Sequence, residues 1–194
     1  MRSSGSTPRP TADRSAIPFY LWVAGEDHAR ACTGRRLLRQ GLVREVRGGD
    51  RPALRDVLLL DPFALLPLGP ADRGRAARSG VLGIDCSWNL LHDRGAYPGS
   101  EGRWDQVTHR RRLPWLVATN PQHYGRLGEL STAEAFGAAA YLLGEVDRAR
   151  TLLDGFAGGR SFLTVNHARL VAYSHALDPE DLLRIEEGSL GGGT

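Results

Sequence analysis

Asp85 closes a short apolar run, Val81 to Asp85, and Cys86-Ser87-Trp88 follows it directly. If that run is a strand in an open α/β sheet, its carboxyl end is where such sheets bind ligands. A carboxylate there could take a proton from an acceptor or neutralise a cationic ligand, or could simply cap a turn beside a core tryptophan. Thr33-Gly34 at the start of a helix could turn backbone N–H groups toward a carboxylate, or Thr33 could be an ordinary N-cap. Arg35, Arg36, Arg39, Arg44 and the run Arg110-Arg111-Arg112 could contact phosphates, or could be solvated surface charge.

Several chemistries are excluded by their missing motifs. No GxGxxG follows a strand candidate, and GxxxxGK[ST] cannot occur because all 25 basic residues are arginine and none is lysine. No GxSxG elbow is present, and the six histidines show no HExxH spacing. Cys32 and Cys86 lack a CxxC partner, so the expectation is two reduced thiols, no metal, and a cytoplasmic setting. The net charge is +3 and the pI about 9.2, a balance that permits nucleic-acid binding without requiring it. Arginine without lysine gives only planar, bidentate cations.

The elements that must position these residues are organised around Leu113 to Leu143. Leu116-Val117-Ala118 suits a buried strand, ended by Asn120-Pro121. A polar loop with Tyr124, Gly125 and Arg126 follows, and Ser131-Thr132-Ala133-Glu134 forms a capping-box pattern for an alanine-rich helix over 133–143. Strand, loop and capped helix in that order form a βα unit, and a ligand can sit against such a helix start. Upstream, Ile17 to Val23, Val57 to Leu60 and Val81 to Asp85 are further strand candidates, and residues 35–41 are a short basic helix stopped by glycine. Downstream, helices are expected over 145–156, 166–176 and 179–187. Four strand signals alternating with helical ones predict an α/β fold with a largely parallel sheet. Residues 1–15 read as a disordered leader, 16–70 as an N-terminal α/β part, 71–187 as the main ligand-binding part and 188–194 as a flexible tail. With 41% hydrophobic and 24% charged residues and no run of membrane length, a globular protein without a membrane segment is expected.

Taken together, several motifs resemble one family. Asp85-Cys86-Ser87-Trp88, then Leu113-Pro114-Trp115-Leu116-Val117-Ala118-Thr119-Asn120-Pro121, then Tyr124-Gly125-Arg126 and Leu130 to Phe136 follow the order seen in the small-subunit rRNA aminocarboxypropyltransferases of ribosome biogenesis. Cys32-Thr33-Gly34 is similar to that family's N-terminal motif, His109 to Pro114 to its basic lead-in, and Ser161-Phe162-Leu163 with Asn166 to its C-terminal signature. The likeness extends from about Leu21 to Ser174.

The resemblance implies a SPOUT-like fold with a C-terminal trefoil knot, a rare topology. It implies S-adenosyl-L-methionine as donor and transfer of the 3-amino-3-carboxypropyl group to N3 of a modified uridine. By position, Thr33 would hold the amino-acid carboxylate, while Ile84, Leu116, Tyr124, Ser131, Thr132 and Ala135 would line the donor. Trp88 would pack on the methyl that must not react, and Asp85 would be the catalytic group near the sulfonium. Arg35, Arg36, Arg110, Arg111 and Arg126 would meet rRNA or a small-subunit precursor, and the protein would act as a monomer. The chain departs from the family pattern at Asn89-Leu90, at Gln122-His123, at Gly158-Gly159-Arg160 and through 89–112. These departures spare the donor motifs and bear on the acceptor, so a small-molecule or peptide acceptor, or a non-catalytic assembly role, stays open.

Overall fold

A computed structural model describes residues 16–24, 33–46, 56–94 and 107–191. The expected leader, the loop at 25–28 and residues 192–194 lie outside these, while residues 188–191 of the expected flexible tail instead continue the last helix. Within them, the β-branched and aromatic run after Ile17 forms β1 (Phe19–Val23). Thr33–Arg39 is α1, which Gly41 ends at φ +68°, and Arg44–Glu45 is a two-residue β2. β3 (Leu58–Leu60) is wholly buried. A 3-10 turn, Pro70–Asp72, leads into α2 (Arg73–Ser79) and β4 (Val81–Asp85). α3 (Trp88–Arg94) and a two-residue β5 (Arg110–Arg111) complete this half. The remainder is helical: α4 (Thr132–Leu142), α5 (Val146–Leu153), α6 (Gly159–Val165), α7 (His167–Ser174) and α8 (Pro179–Gly191). No helix among the described residues is long and apolar enough to cross a membrane.

The five strands form one parallel sheet in the order β2-β1-β4-β3-β5. It draws strands from both sides of residue 70. Strand alternation puts Phe19 and Leu21 of β1 and Val81 and Gly83 of β4 on one face, under α4. There Phe19 meets Phe136 edge to face at 5.3 Å. A Cβ at Gly83 would stand 2.6 Å from Phe136 Cζ, so only glycine lets this helix lie so close to β4. The same alternation places Asp85 on the α4 face. On the opposite face Val46, Val57, Leu59, Leu82 and Val107 form a separate small core.

One expected strand is absent, and its replacement bears on the site. Leu116 and Ala118 are fully buried, as expected, but they pack in a second core with Leu142, Phe162, Leu170 and Leu182, outside the sheet. Val117 makes a lone bridge to Leu127. Its backbone is otherwise satisfied by a side chain: Asn166 Oδ1 accepts from Val117 N–H at 2.8 Å, and Nδ2 donates to Val117 O at 2.9 Å. Neighbouring groups close a hairpin, Ala118 N–H to Arg126 O at 2.8 Å and Gly128 N–H to Leu116 O at 2.9 Å. The position next to β3 goes to Arg110–Arg111. The chain order of strand, loop and capped helix therefore becomes hairpin, then helix.

Candidate functional site

A cavity of about 410 Å³ opens beyond the carboxyl ends of β3 and β4, within the size range of small-molecule sites. One wall is the turn from Leu60 to Phe63, and another is Trp88, Leu91 and His92 of α3. The hairpin supplies Leu113 to Trp115 and Leu127 to Leu130, and α4 closes the floor with Thr132, Ala135 and Phe136. Most of this surface is apolar.

The start of α4 is fixed by an unusually complete cap. Ser131 Oγ accepts from the Glu134 N–H at 3.3 Å, and the Glu134 carboxylate accepts from the Ser131 N–H at 2.7 Å. Glu134 is also buried and receives the Thr119 N–H and hydroxyl at 2.7 and 2.9 Å and the Asn120 amide at 2.7 Å. A buried carboxylate is tolerated only with such company. Through it, α4 and the hairpin are locked at one relative position.

Asp85 lies where β4 ends, among three elements. Its Oδ1 accepts a short hydrogen bond from the Thr132 hydroxyl at the start of α4. A Cβ at Gly34, in the first turn of α1, would come 2.7 Å from Asp85 Cγ and 2.7 Å from Leu21 Cδ2. Asp85 thus sits behind Thr132, with the first turns of α1 and α4 beside it. Trp88 is half-buried on the cavity wall, held by its indole N–H donating to Leu130 O at 2.8 Å.

Of the residues expected to line the donor, Trp88, Thr132 and Ala135 do face the cavity, and Ile84 borders it although its side chain packs on the opposite-face core. Others do not. Leu116 is buried in the second core, with its carbonyl taken by Gly128. Ser131 has its hydroxyl committed to the cap. Tyr124 is 73% exposed, because the turn that Gly125 closes at φ +82° carries it off the wall. Thr33 opens α1, adjoining Gly34 and so Asp85, but is not on the cavity wall.

The arginines divide sharply. Arg110 Nη1 meets buried Asp61 at 3.1 Å, Arg111 meets buried Asp72 at 3.0 Å, and Arg112 grips buried Glu186 through two bonds at 2.8 and 2.6 Å. Arg110 and Arg111, expected to meet RNA, are thus paired cations of an edge strand, each held by an internal carboxylate. Arg35 and Arg36 remain exposed on α1, and the Arg36 guanidinium also lies 4.7 Å from the Phe156 ring centre. Arg126 is exposed and bonds Glu129 at 3.1 Å.

Sequence reasoning missed the Asp61–Phe63 turn, Trp115, and a cluster around Glu129. His123 Nδ1 lies 2.5 Å from Glu129 and His92 Nε2 3.6 Å from it. Burial alone would raise the Glu129 carboxyl, but hydrogen bonds from His123 and Arg126 and their charges outweigh it and hold it below the usual range. Pro114-Trp115 lay in plain view within the motif that follows the arginine run, without a role assigned to Trp115. The Glu129 cluster carried a partial signal, since His123, Arg126 and Glu129 are spaced by three in one loop, but His92 joins them only through the fold. Among the described residues no group of three His, Cys, Asp or Glu side chains is placed to hold a metal.

Comparison with known proteins places this geometry in a family. Residues 58–190 match the family described as "Ribosome biogenesis protein, C-terminal". The 18S rRNA aminocarboxypropyltransferase of Schizosaccharomyces pombe is 35% identical over 178 residues, 91% of this chain and 58% of that protein. The 16S rRNA aminocarboxypropyltransferase of Methanosarcina mazei is 36% identical over 170 residues, 88% of this chain and 93% of the relative. Among solved structures, the SAM-dependent rRNA:acp-transferase from Vulcanisaeta distributa matches with a TM-score of 0.71 at 31% identity, covering 91% of this chain and 100% of that one.

Proposed function

The chain belongs to the ribosome biogenesis family whose relatives are named rRNA aminocarboxypropyltransferases, and from that premise we propose that it transfers the 3-amino-3-carboxypropyl group of S-adenosylmethionine to N3 of a uridine or pseudouridine in small-subunit rRNA. The observation that carries this reading is the apolar cavity at the ends of β3 and β4, walled by Trp88, with Asp85 just behind Thr132. The residues fit the donor: an apolar wall suits a purine and a methyl group, and a carboxylate suits a cation.

S-adenosylmethionine supplies a sulfonium with three activated carbons, and the one held in line with the nucleophile reacts. Trp88 would cover the methyl and leave the side-chain methylene to the acceptor. Ala135 completes the apolar wall, with Ile84 at its border. Thr33 and the first N–H groups of α1, beside Asp85 and off the cavity wall, would receive the amino-acid carboxylate. Asp85 either takes the N3 proton of the acceptor or holds the cation. Asp85→Asn separates these roles: a base predicts near-normal donor binding with turnover falling by ~10²–10⁴. An electrostatic partner predicts weaker donor binding and little loss at saturation.

Incubation with carboxyl-labelled S-adenosylmethionine and small-subunit rRNA tests the whole reading. Label should enter the RNA and methylthioadenosine should accumulate. S-adenosylhomocysteine as the only by-product would make the protein a methyltransferase instead. The SPOUT-like part over 71–187 would carry the trefoil knot, which single-molecule extension would reveal as a contour shorter than the stretched chain. We read the protein as a cytoplasmic monomer, which cell fractionation and sedimentation check.

A further inference from the structure

Two large aromatic side chains of the cavity lining stand part-exposed, one from the Leu60–Phe63 turn and one from the segment that leads into the hairpin. Phe63 is 51% exposed and Trp115 is 39% exposed, and both line the cavity. Exposed apolar residues scattered singly need no explanation, and Leu177 is of that kind. These two differ because the fold spends buried charge on holding them.

Trp115 is fixed at both backbone atoms. Its N–H donates to the buried Glu186 carboxylate at 2.8 Å, and its carbonyl accepts from the Tyr173 hydroxyl at 3.2 Å. The indole is fixed as well. The Arg112 guanidinium lies over it at 5.4 Å, itself held by the same Glu186. Gly128 adjoins its six-membered ring so closely that a Cβ there would stand 3.0 Å from Cζ3. Gly128 also has φ +80°, so both space and backbone demand glycine. On the other wall, Phe63 N–H donates to Asp61 Oδ1 at 3.0 Å, and Asp61 is buried and ion-paired to Arg110. An aromatic ring held rigid and left part-exposed beside a ligand cavity is a stacking surface prepared in advance.

We infer that Trp115, together with Phe63, is the platform on which the acceptor base stacks on entering the cavity. This rests on the proposed transfer to rRNA. N3 of a uridine lies on its pairing edge, so the base must leave its helix before N3 can be reached, and unstacking costs a few kcal/mol. Stacking on a protein aromatic returns about 1–3 kcal/mol per base. The rings act as positioning residues: they meet the base face, not its N3.

The test uses the full chain, carboxyl-labelled S-adenosylmethionine and small-subunit rRNA lacking the modification. Trp115→Ala and Phe63→Ala should each raise KM for RNA by roughly 5–150-fold, the range equivalent to 1–3 kcal/mol. Donor affinity by calorimetry and kcat at saturating RNA should stay within twofold. Trp115→Phe should restore most of the loss, since any aromatic face can stack, and it guards against misfolding of the alanine variant. Unchanged KM in both alanine variants overturns the inference. So does a parallel loss of donor affinity, which would make Trp115 a donor contact. A wild-type protein that binds donor but labels no RNA removes the parent reading, and this inference with it, before any variant is compared.

Discussion

Arg110 to Arg112 and Arg35-Arg36 look alike in the sequence, two clusters of adjacent arginines with no lysine anywhere. In the structure they have opposite employment. The first cluster is consumed by Asp61, Asp72 and Glu186, carboxylates 39 to 74 positions away in the chain and all buried. The second remains on the exposed side of α1, beside the first turn that approaches Asp85. A basic run is therefore not a binding surface by composition. Its role depends on how deeply its guanidiniums are drawn into the fold.

Removing the best-buried member should separate the two clusters most. Arg112→Ala leaves Glu186 buried without its cation, which should cost about 3–5 kcal/mol of stability, read as a fall in the urea midpoint. Arg35→Ala should stay within about 0.5 kcal/mol. Equal losses would dissolve the distinction.

A smaller effect should appear in RNA binding, in the opposite sense. Replacing Arg35 and Arg36 together by glutamine should weaken RNA association and flatten its dependence on log salt by about 1.4, two phosphate contacts at ~0.7 each on a single strand. Arg110→Gln should leave that slope unchanged. If the slope falls there instead, the β5 run touches phosphate after all.

Arg126 is the intermediate case, exposed but bonded to Glu129, and it should show the smallest effect. The Glu129 carboxyl is held below its ordinary value in the folded protein. The stability it contributes is therefore present above the unfolded value and is lost as pH falls through the folded one. Glu129→Gln should remove that acid-side loss from a plot of stability against pH and leave the neutral side flat. An unaltered acid limb would mean the cluster is too solvated to matter.

What the sequence made legible was local. The capping box at Ser131 and Glu134, the strand Val81–Asp85 and the glycine stop after α1 each have their determinants within a few residues. The parallel α/β class followed from those strands, and Trp88 facing the ligand cavity followed from family motifs. What stayed hidden depends on partners distant in sequence. β2 and β5 are two-residue polar strands whose only signal is the neighbour they pair with. Leu116 to Ala118 had the composition of a sheet strand, but Asn166 claims its backbone from 49 residues away. The pairing of Phe63 with Trp115 was equally hidden, since only tertiary contacts bring them to one cavity.

Asn166 has a consequence for how opening of the molecule would be observed. Because its side chain, and not a β-ladder, receives the Val117 N–H, solvent exchange at that amide should follow the undocking of α6 and α7 and need not follow the opening of the sheet. Amides in β4 would then exchange with one clock and Val117 with another. The difference between the two rates would be a direct measure of how independently the helical half breathes.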